Sequence, residues 1–231
     1  MKGPGAPQRL GLASNWRQFS LLVVVNAFVG AMVGLERSIL PALAEGEFHL
    51  VARTAILSFI VVFGITKALT NYFAGRLAES VGRKPVLVAG WVVAVPVPFL
   101  LIWAPSWGFV LLANALLGVS QGLTWSTTVI MKIDLAGAER RGLAMGLNEF
   151  AGYFAVALAA FATGLLASTY GLRPQPFYLG VLFVAVGLAL SVAVVRETRD
   201  HARHEAQAHP PGAELSARAV FIRTSLGDRD L

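Results

Sequence analysis

The chain has 231 residues, of which 56% are hydrophobic and only 14% charged, a balance that excludes a soluble globular domain, whose surface must be wetted. It contains no cysteine, which excludes a disulfide framework, a thiolate nucleophile and metal sites of the cysteine type. A net charge of +6 would suit nucleic acid, but the basic residues sit at the ends of apolar runs and in the tails, where a positive-inside bias accounts for them and no nucleic-acid partner is needed.

Residues 1–17 carry Lys2, Arg9 and Arg17 ahead of an apolar run that is too long for a signal peptide and lacks a small-residue cleavage site. They read as a cytoplasmic segment before a first membrane anchor. The first run, 19–35, should continue as helix through Pro41 toward Ala44, since ~20 residues at ~1.5 Å rise are needed to cross the hydrocarbon core. Glu36, Arg37, Glu45, Glu47, His49 and Arg53 then read as a mixed-charge outer connection. The second run, 54–74, returns to a short basic loop, 75–87, whose Arg76, Arg83 and Lys84 face a single acid, Glu79. Short Lys/Arg-rich connections resist translocation, so this loop is expected on the cytoplasmic side and orients the rest.

The third run, 86–103, contains Pro96 and Pro98, which remove backbone donors and should bend it. Its uncharged connection, 104–106, is flanked by Trp103 and Trp107, as interface anchors would be. The fourth run, 109–131, comes back to a second cytoplasmic loop holding Lys132, Asp134, Glu139, Arg140 and Arg141. The fifth run is 142–167, the turn 170–176 follows, and the sixth run spans 177–195. Residues 197–231 form a polar, basic tail. On this topology every Lys and Arg except Arg37, Arg53, Lys67 and Arg173 lies inside, which predicts an all-α membrane protein with a six-span domain over 18–196 and both termini cytoplasmic.

An ionisable group deep in a span costs roughly 2.5–3.5 kcal/mol on insertion scales, so each one calls for an explanation. Lys67 lies nine residues before Arg76 and Glu149 eight after Arg141, which puts both about 12–14 Å from the cytoplasmic boundary at helical rise. Asn26 and Gln121 fall within one or two turns of the same level. The four define a polar belt: either a substrate or ion site with Lys67 and Glu149 as a charged or proton-responsive pair, or a structural salt bridge. Asn114, Gln121 and Trp125 recur on one face of the fourth run and are expected to line a cavity, Trp125 offering a ring and an N–H to an organic molecule. Ser120 and Thr124 read as cavity lining or as interhelical hydrogen bonding.

Glycines four apart at Gly30/Gly34, Gly118/Gly122 and Gly142/Gly146 predict close helix packing. Glu36 and Arg37 read as gate or structural residues near the outer end of the first span. His201, His204 and His209 lie in a charged tail without fixed geometry, so no metal site is predicted. No convergent His, Cys or paired carboxylate set occurs within the spans, so no catalytic residue is assigned and the chain is not expected to be an enzyme.

The 75–87 loop resembles the signature between the second and third spans of the major facilitator superfamily: Gly75, Leu77, Ala78, Glu79, Gly82, Arg83, Lys84 and Leu87 fall on the pattern, with Glu79 for the usual aspartate and Ser80 where a basic residue is common. The 134–146 stretch looks like the family's link into its fifth span, and Arg196, Glu197 and Thr198 look like the end of its sixth. Asn114 stands where the family often has an arginine four residues before a glycine, and the glycine- and proline-rich signature of many antiporters is absent from the fifth span. The resemblance implies an N-terminal six-helix half of a secondary transporter working by alternating access on a small solute, with efflux one allowed direction. It implies a conformational latch of Gly75, Glu79, Gly82, Arg83, Lys84, Asp134 and Arg141, no cofactor beyond a proton or ion gradient, and residence in a plasma (inner) membrane. The partners implied are the lipid bilayer, a small-molecule substrate and a second six-helix half, as a C-terminal half, a split chain or a homodimer; the 217–231 tail resembles the segment that joins the halves. The alternative is a non-transporting six-span module that scaffolds or regulates a partner.

Overall fold

A long apolar run with no strand alternation can satisfy its backbone within itself only as helix, and a computed structural model of the chain is helical throughout the residues it describes, 11–137 and 140–208. The helices are α1 (Leu12–Gly46), α2 (Arg53–Ile56), α3 (Ser58–Ser80), α4 (Arg83–Ala94), α5 (Pro96–Ile102), α6 (Trp107–Ala136), α7 (Arg141–Tyr170), α8 (Tyr178–Ala193) and α9 (Arg199–Ala208), with a 3-10 turn at Gln175–Phe177 before α8. Among the described residues, five stretches are long and apolar enough to cross a membrane: α1, α4 with α5, α6, α7, and the 3-10 turn with α8. At 23 residues α3 has the length, but Thr66, Lys67, Thr70 and Asn71 make it less apolar than the others. Glu139, His209 and the 217–231 tail lie outside the described residues.

The predicted bend in the third run is a break. The α4 ladder ends at Ala94, the Val95 N–H bonds back to Val92 O at 3.2 Å, and Pro96 starts α5 in the N-terminal position where its missing donor costs least. The predicted 75–87 loop is mostly not a loop. Helix α3 continues to Ser80 and α4 opens at Arg83, so the connection is Val81 and Gly82 alone. Gly82 takes φ +115°, a conformation open to glycine, and a Cβ there would stand 2.8 Å from a Glu197 carboxylate oxygen. Gly75 lies inside α3 in open surroundings.

Helices α1 and α6 are the centre on which the others pack: α1 against α7, α6 and α8, and α6 against α3 and α4. Small residues decide how close they come. A Cβ on Gly30 would lie 2.2 Å from Gly152 O, and one on Gly34 2.1 Å from Val156 O, so α1 and α7 meet backbone to backbone. Gly118 and Gly122 do the same for α6 against Thr66 and Thr70 of α3. The third predicted pair, Gly142 and Gly146, has nothing near it among the described residues. That corrects the packing expectation, because the pair lies on the exposed face of α7, away from the side that buries Ala144 and Asn148.

The apolar surface is distributed inside out relative to a soluble protein. Helix α7 buries a stripe of Ala144, Asn148, Gly152, Ala159 and Thr163 toward α1 and exposes Phe150, Tyr153, Phe154, Leu158, Phe161 and Leu165. Helix α3 likewise exposes Val61, Ile65, Leu69, Tyr72 and Phe73. Stable exposed faces of this kind belong in lipid or against another apolar partner. At the end away from Gly82, Arg173 donates to Glu47 and to Ala104 O (2.9 Å), with Phe48 under its guanidinium at 5.3 Å. Trp107 donates to Ser58 Oγ at 2.9 Å.

Candidate functional site

Two polar regions stand out in the bundle: a network at the Gly82 end and a mid-helix cluster shared by α1, α3, α6 and α7. The network grows from the α4 N-terminus. No side chain of α4 or its N-cap bonds the first free N–H groups, and Glu197 supplies the cap from far along the chain. Its carboxylate accepts from the Arg83 and Lys84 N–H groups at 3.0 Å each, and from Thr198 (2.9 Å) and Arg199 (3.0 Å) at the start of α9. A negative charge therefore sits on two helix N-termini at once. Burial pushes the Glu197 carboxyl up, but the four backbone N–H bonds outweigh it and hold it below its ordinary value.

Arg83 completes the network. Its Nε donates to Asp134 Oδ2 at 3.2 Å and its Nη1 to Ala78 O at 3.2 Å, while Thr198 Oγ donates to the same Asp134 oxygen at 2.7 Å. Arg83 and Asp134 are both buried. Lys84 Nζ donates to Val192 O at 2.8 Å, tying α4 to α8. Of the predicted latch residues, Gly82, Arg83, Lys84 and Asp134 come together. Glu79 does not join: it is exposed on the last turn of α3 and makes no hydrogen bond or ion pair among the described residues. Helical spacing explains this, since Ala78 faces inward and Glu79 lies about 100° round the helix from it. Gly75 is a turn further off, and Arg141 opens α7 as an exposed residue. Asp134 was expected in a loop and is instead inside α6, which runs on to Ala136.

Lys132, expected in the same loop, is fully buried in α6 and donates to Leu22 O at 3.0 Å. It borders the mid-helix cluster, where Asn26 donates to Asn148 O (2.8 Å) and accepts from Thr128 Oγ (3.0 Å), and Gln121 donates to Val29 O (2.6 Å). Asn114 bonds Val110 O of its own helix at 3.0 Å. Asn26, Asn114 and Gln121 are 0–2% exposed. They occupy helix interfaces, not an open cavity wall, because their amides find carbonyls left accessible by close packing. Thr124 Oγ bonds Ser120 O within α6.

Three predicted residues remain accessible and converge. Trp125 Nε1 donates to Glu149 Oε1 at 2.9 Å, which also accepts from Asn148 Nδ2 at 2.8 Å. Lys67 Nζ stands 4.8 Å from the centre of the Trp125 ring and 5.6 Å from that of Phe63. Tyr153 meets the same indole edge-on at 5.6 Å. Lys67 and Glu149 both contact Trp125, and among the described residues they form no direct ion pair. A flat ring fixed by a carboxylate and capped by a cation, on a half-open face, can hold an organic molecule by stacking and charge.

Sequence reasoning missed Glu197, Thr198, Asn148, Thr128 and Lys132. A lone acid directly after the last apolar run and a lone lysine at the end of a helix were the available signals, and each reads equally well as topogenic charge. Glu36 and Arg37 lie within α1, which runs through Pro41 to Gly46 as the first run was expected to. Glu36 is 2% exposed with neither carboxylate oxygen hydrogen-bonded among the described residues, and Arg37 lies over Phe59 and Phe63 at 5.8 and 5.2 Å. His201 and His204 fall on α9, and no three His, Cys, Asp or Glu among the described residues could hold a metal.

The Major Facilitator Superfamily family model matches residues 19–226. Among similar proteins is Multidrug resistance protein MdtG of Escherichia fergusonii, 29% identical over 198 residues, covering 83% of this chain and 48% of that protein. The proteins of the same name from Citrobacter koseri (29% identical; 79% of this chain, 46% of that protein) and Escherichia coli O1:K1 / APEC (28%; 79% and 45%) are similar as well. The chain spans about half the length of these relatives. A mutant of the peptide transporter POT, solved in complex with sulfate, superposes with a TM-score of 0.67 at 18% identity over 79% of this chain and 38% of that one, a likeness of fold.

Proposed function

Because the chain belongs to the Major Facilitator Superfamily, and is therefore an integral, multi-pass membrane protein, we propose that it is the N-terminal six-helix half of a secondary transporter that moves a small organic solute by alternating access. In this reading α3 is the second of six spans, both termini are cytoplasmic, and the membrane is the plasma (inner) membrane. Efflux is the favoured direction, since the similar proteins are named for multidrug resistance. The observation that carries the proposal is the Lys67–Trp125–Glu149 cluster: charged and aromatic groups gathered at mid-helix on a face that the described residues leave half open. Intramembrane ionisable groups so placed mark a pathway.

The exposed faces of α3 and α7 flank that cluster, so a second six-helix half closing on them would enclose it. The Glu197–Arg83–Asp134 network would hold the cytoplasmic end in one conformation, and Glu79, exposed beside it, would reach the other half. A proton or ion gradient would drive the cycle.

The test is reconstitution in vesicles of the chain alone and of the chain together with a second six-helix half, with a panel of fluorescent aromatic solutes and an imposed proton or sodium gradient. We expect gradient-dependent movement in the paired preparation, reduced at least ~10-fold by Lys67→Ala or Glu149→Ala, the loss expected for removing about 1.4 kcal/mol of binding. No movement in any pairing would overturn the proposal in favour of a scaffolding or regulatory module.

A further inference from the structure

The charges at the mid-helix cluster are uneven. Arg37 of α1 and Lys67 of α3 both reach the Phe63 ring, at 5.2 and 5.6 Å from its centre, and Lys67 also reaches Trp125. Among the described residues neither cation has a carboxylate within ion-pair distance, although cations inside a span are ordinarily paired with an acid or with carbonyls. The two positive charges act on one another, although Glu149 acts on Lys67 more strongly than Arg37 does. Close packing has therefore placed two like charges around one ring, an arrangement that an anion would relieve.

The nearby acids do not serve as that anion. Glu149 also acts on Lys67 and Lys132, but its Oε1 is engaged by Trp125 and Asn148. Glu36 acts on Arg37, but it is buried away from the open face and lies beyond ion-pair distance of it among the described residues. Arg37, Lys67 and Trp125 are each half-buried and so open to a ligand, and Trp125 with Tyr153 offers an aromatic surface beside the cations. A cationic ligand on this strip would stand beside the like charges of Lys67 and Arg37.

We propose that the strip Arg37–Phe63–Lys67–Trp125 binds an aromatic anion, its acidic group between Arg37 and Lys67 and its ring against Trp125. The proposal rests on the reading of this face as a solute site, and it narrows the solute to a class that carries an acid on a planar ring.

The test uses the full chain in lipid nanodiscs and three dyes with one common ring: dansylglycine (anionic), dansylamide (neutral) and dansylcadaverine (cationic), read by energy transfer from tryptophan. We expect dansylglycine to bind at least ~10-fold more tightly than either of the others. Lys67→Gln and Arg37→Gln should each weaken dansylglycine ~10-fold without weakening dansylcadaverine, and Lys67→Arg should keep the preference; circular dichroism checks that each variant is folded. The inference is overturned if the cationic or neutral dye binds as tightly as the anion, if none binds, or if folded Arg37 and Lys67 variants keep the anion preference. Solute movement in vesicles with no anion preference here would overturn the charge class alone. Anion binding without movement in any pairing would overturn transport and leave the site.

Discussion

The Gly82 end and the mid-helix cluster hold similar side chains in opposite conditions. At the Gly82 end, Arg83 has a carboxylate and a carbonyl, Asp134 has a guanidinium and a hydroxyl, and Glu197 has four N–H donors. In the cluster, among the described residues, Arg37 and Lys67 rest on rings with no carboxylate within ion-pair distance, and neither oxygen of Glu36 is hydrogen-bonded. Satisfied buried charge fixes one arrangement of helices, whereas unsatisfied charge keeps its interaction energy for whatever arrives later. On the proposed reading, the first region holds a conformation and the second meets a ligand.

The sharpest way to break this contrast is at Asp134. Asp134→Ala leaves the Arg83 guanidinium buried without its carboxylate and strands the Thr198 hydroxyl, so we expect a loss of about 3–5 kcal/mol, read as a lower midpoint of unfolding in detergent. A midpoint equal to that of the unaltered chain would mean that the network holds nothing. Gly34→Ala comes next, because its Cβ would enter the space of Val156 O at 2.1 Å. The α1–α7 contact must open, at about 1–3 kcal/mol for overpacking, and cross-linking between cysteines introduced across that contact should slow.

What was readable in advance follows the same division. Helix positions were legible because apolar runs of that length have one backbone solution, and Pro96 announced the break after α4. Arg83 meeting Asp134 was expected only through the family resemblance. Charge run alone could not separate Asp134 and Lys132, buried in α6, from the solvated loop residues beside them, because hydropathy records composition and not which side of a helix end turns inward. Glu197 was hidden because its partners are backbone N–H groups, which have no side-chain signature. Glu79 was placed in the latch by pattern, and its position beside Ala78 on the helix turns it outward.

Acid sharpens the first region. The folded carboxyl of Glu197 is held below its ordinary 4.5, so its contribution to stability is fully present above about that pH and is lost as pH falls through the folded value. We expect the unaltered chain to lose more stability than Glu197→Gln as pH falls from about 5 to about 3, the two melting curves converging in acid. Parallel curves would show that the capping charge contributes nothing.

The smallest expected effect on stability is the most telling for the second region. Lys67→Ala removes a half-exposed cation–ring contact worth about 0.5–1 kcal/mol; it also removes the attraction of Glu149 and the repulsion of Arg37, which oppose one another, so the unfolding midpoint should stay within ~1 kcal/mol of the unaltered chain. A structural lock between α3 and α7 through Trp125 and Glu149 would behave otherwise: its loss would approach that of Asp134→Ala. Melting Lys67→Ala and Asp134→Ala side by side therefore decides whether the cluster is a second latch or a site held open for a ligand, and an equal loss in both would make it a latch.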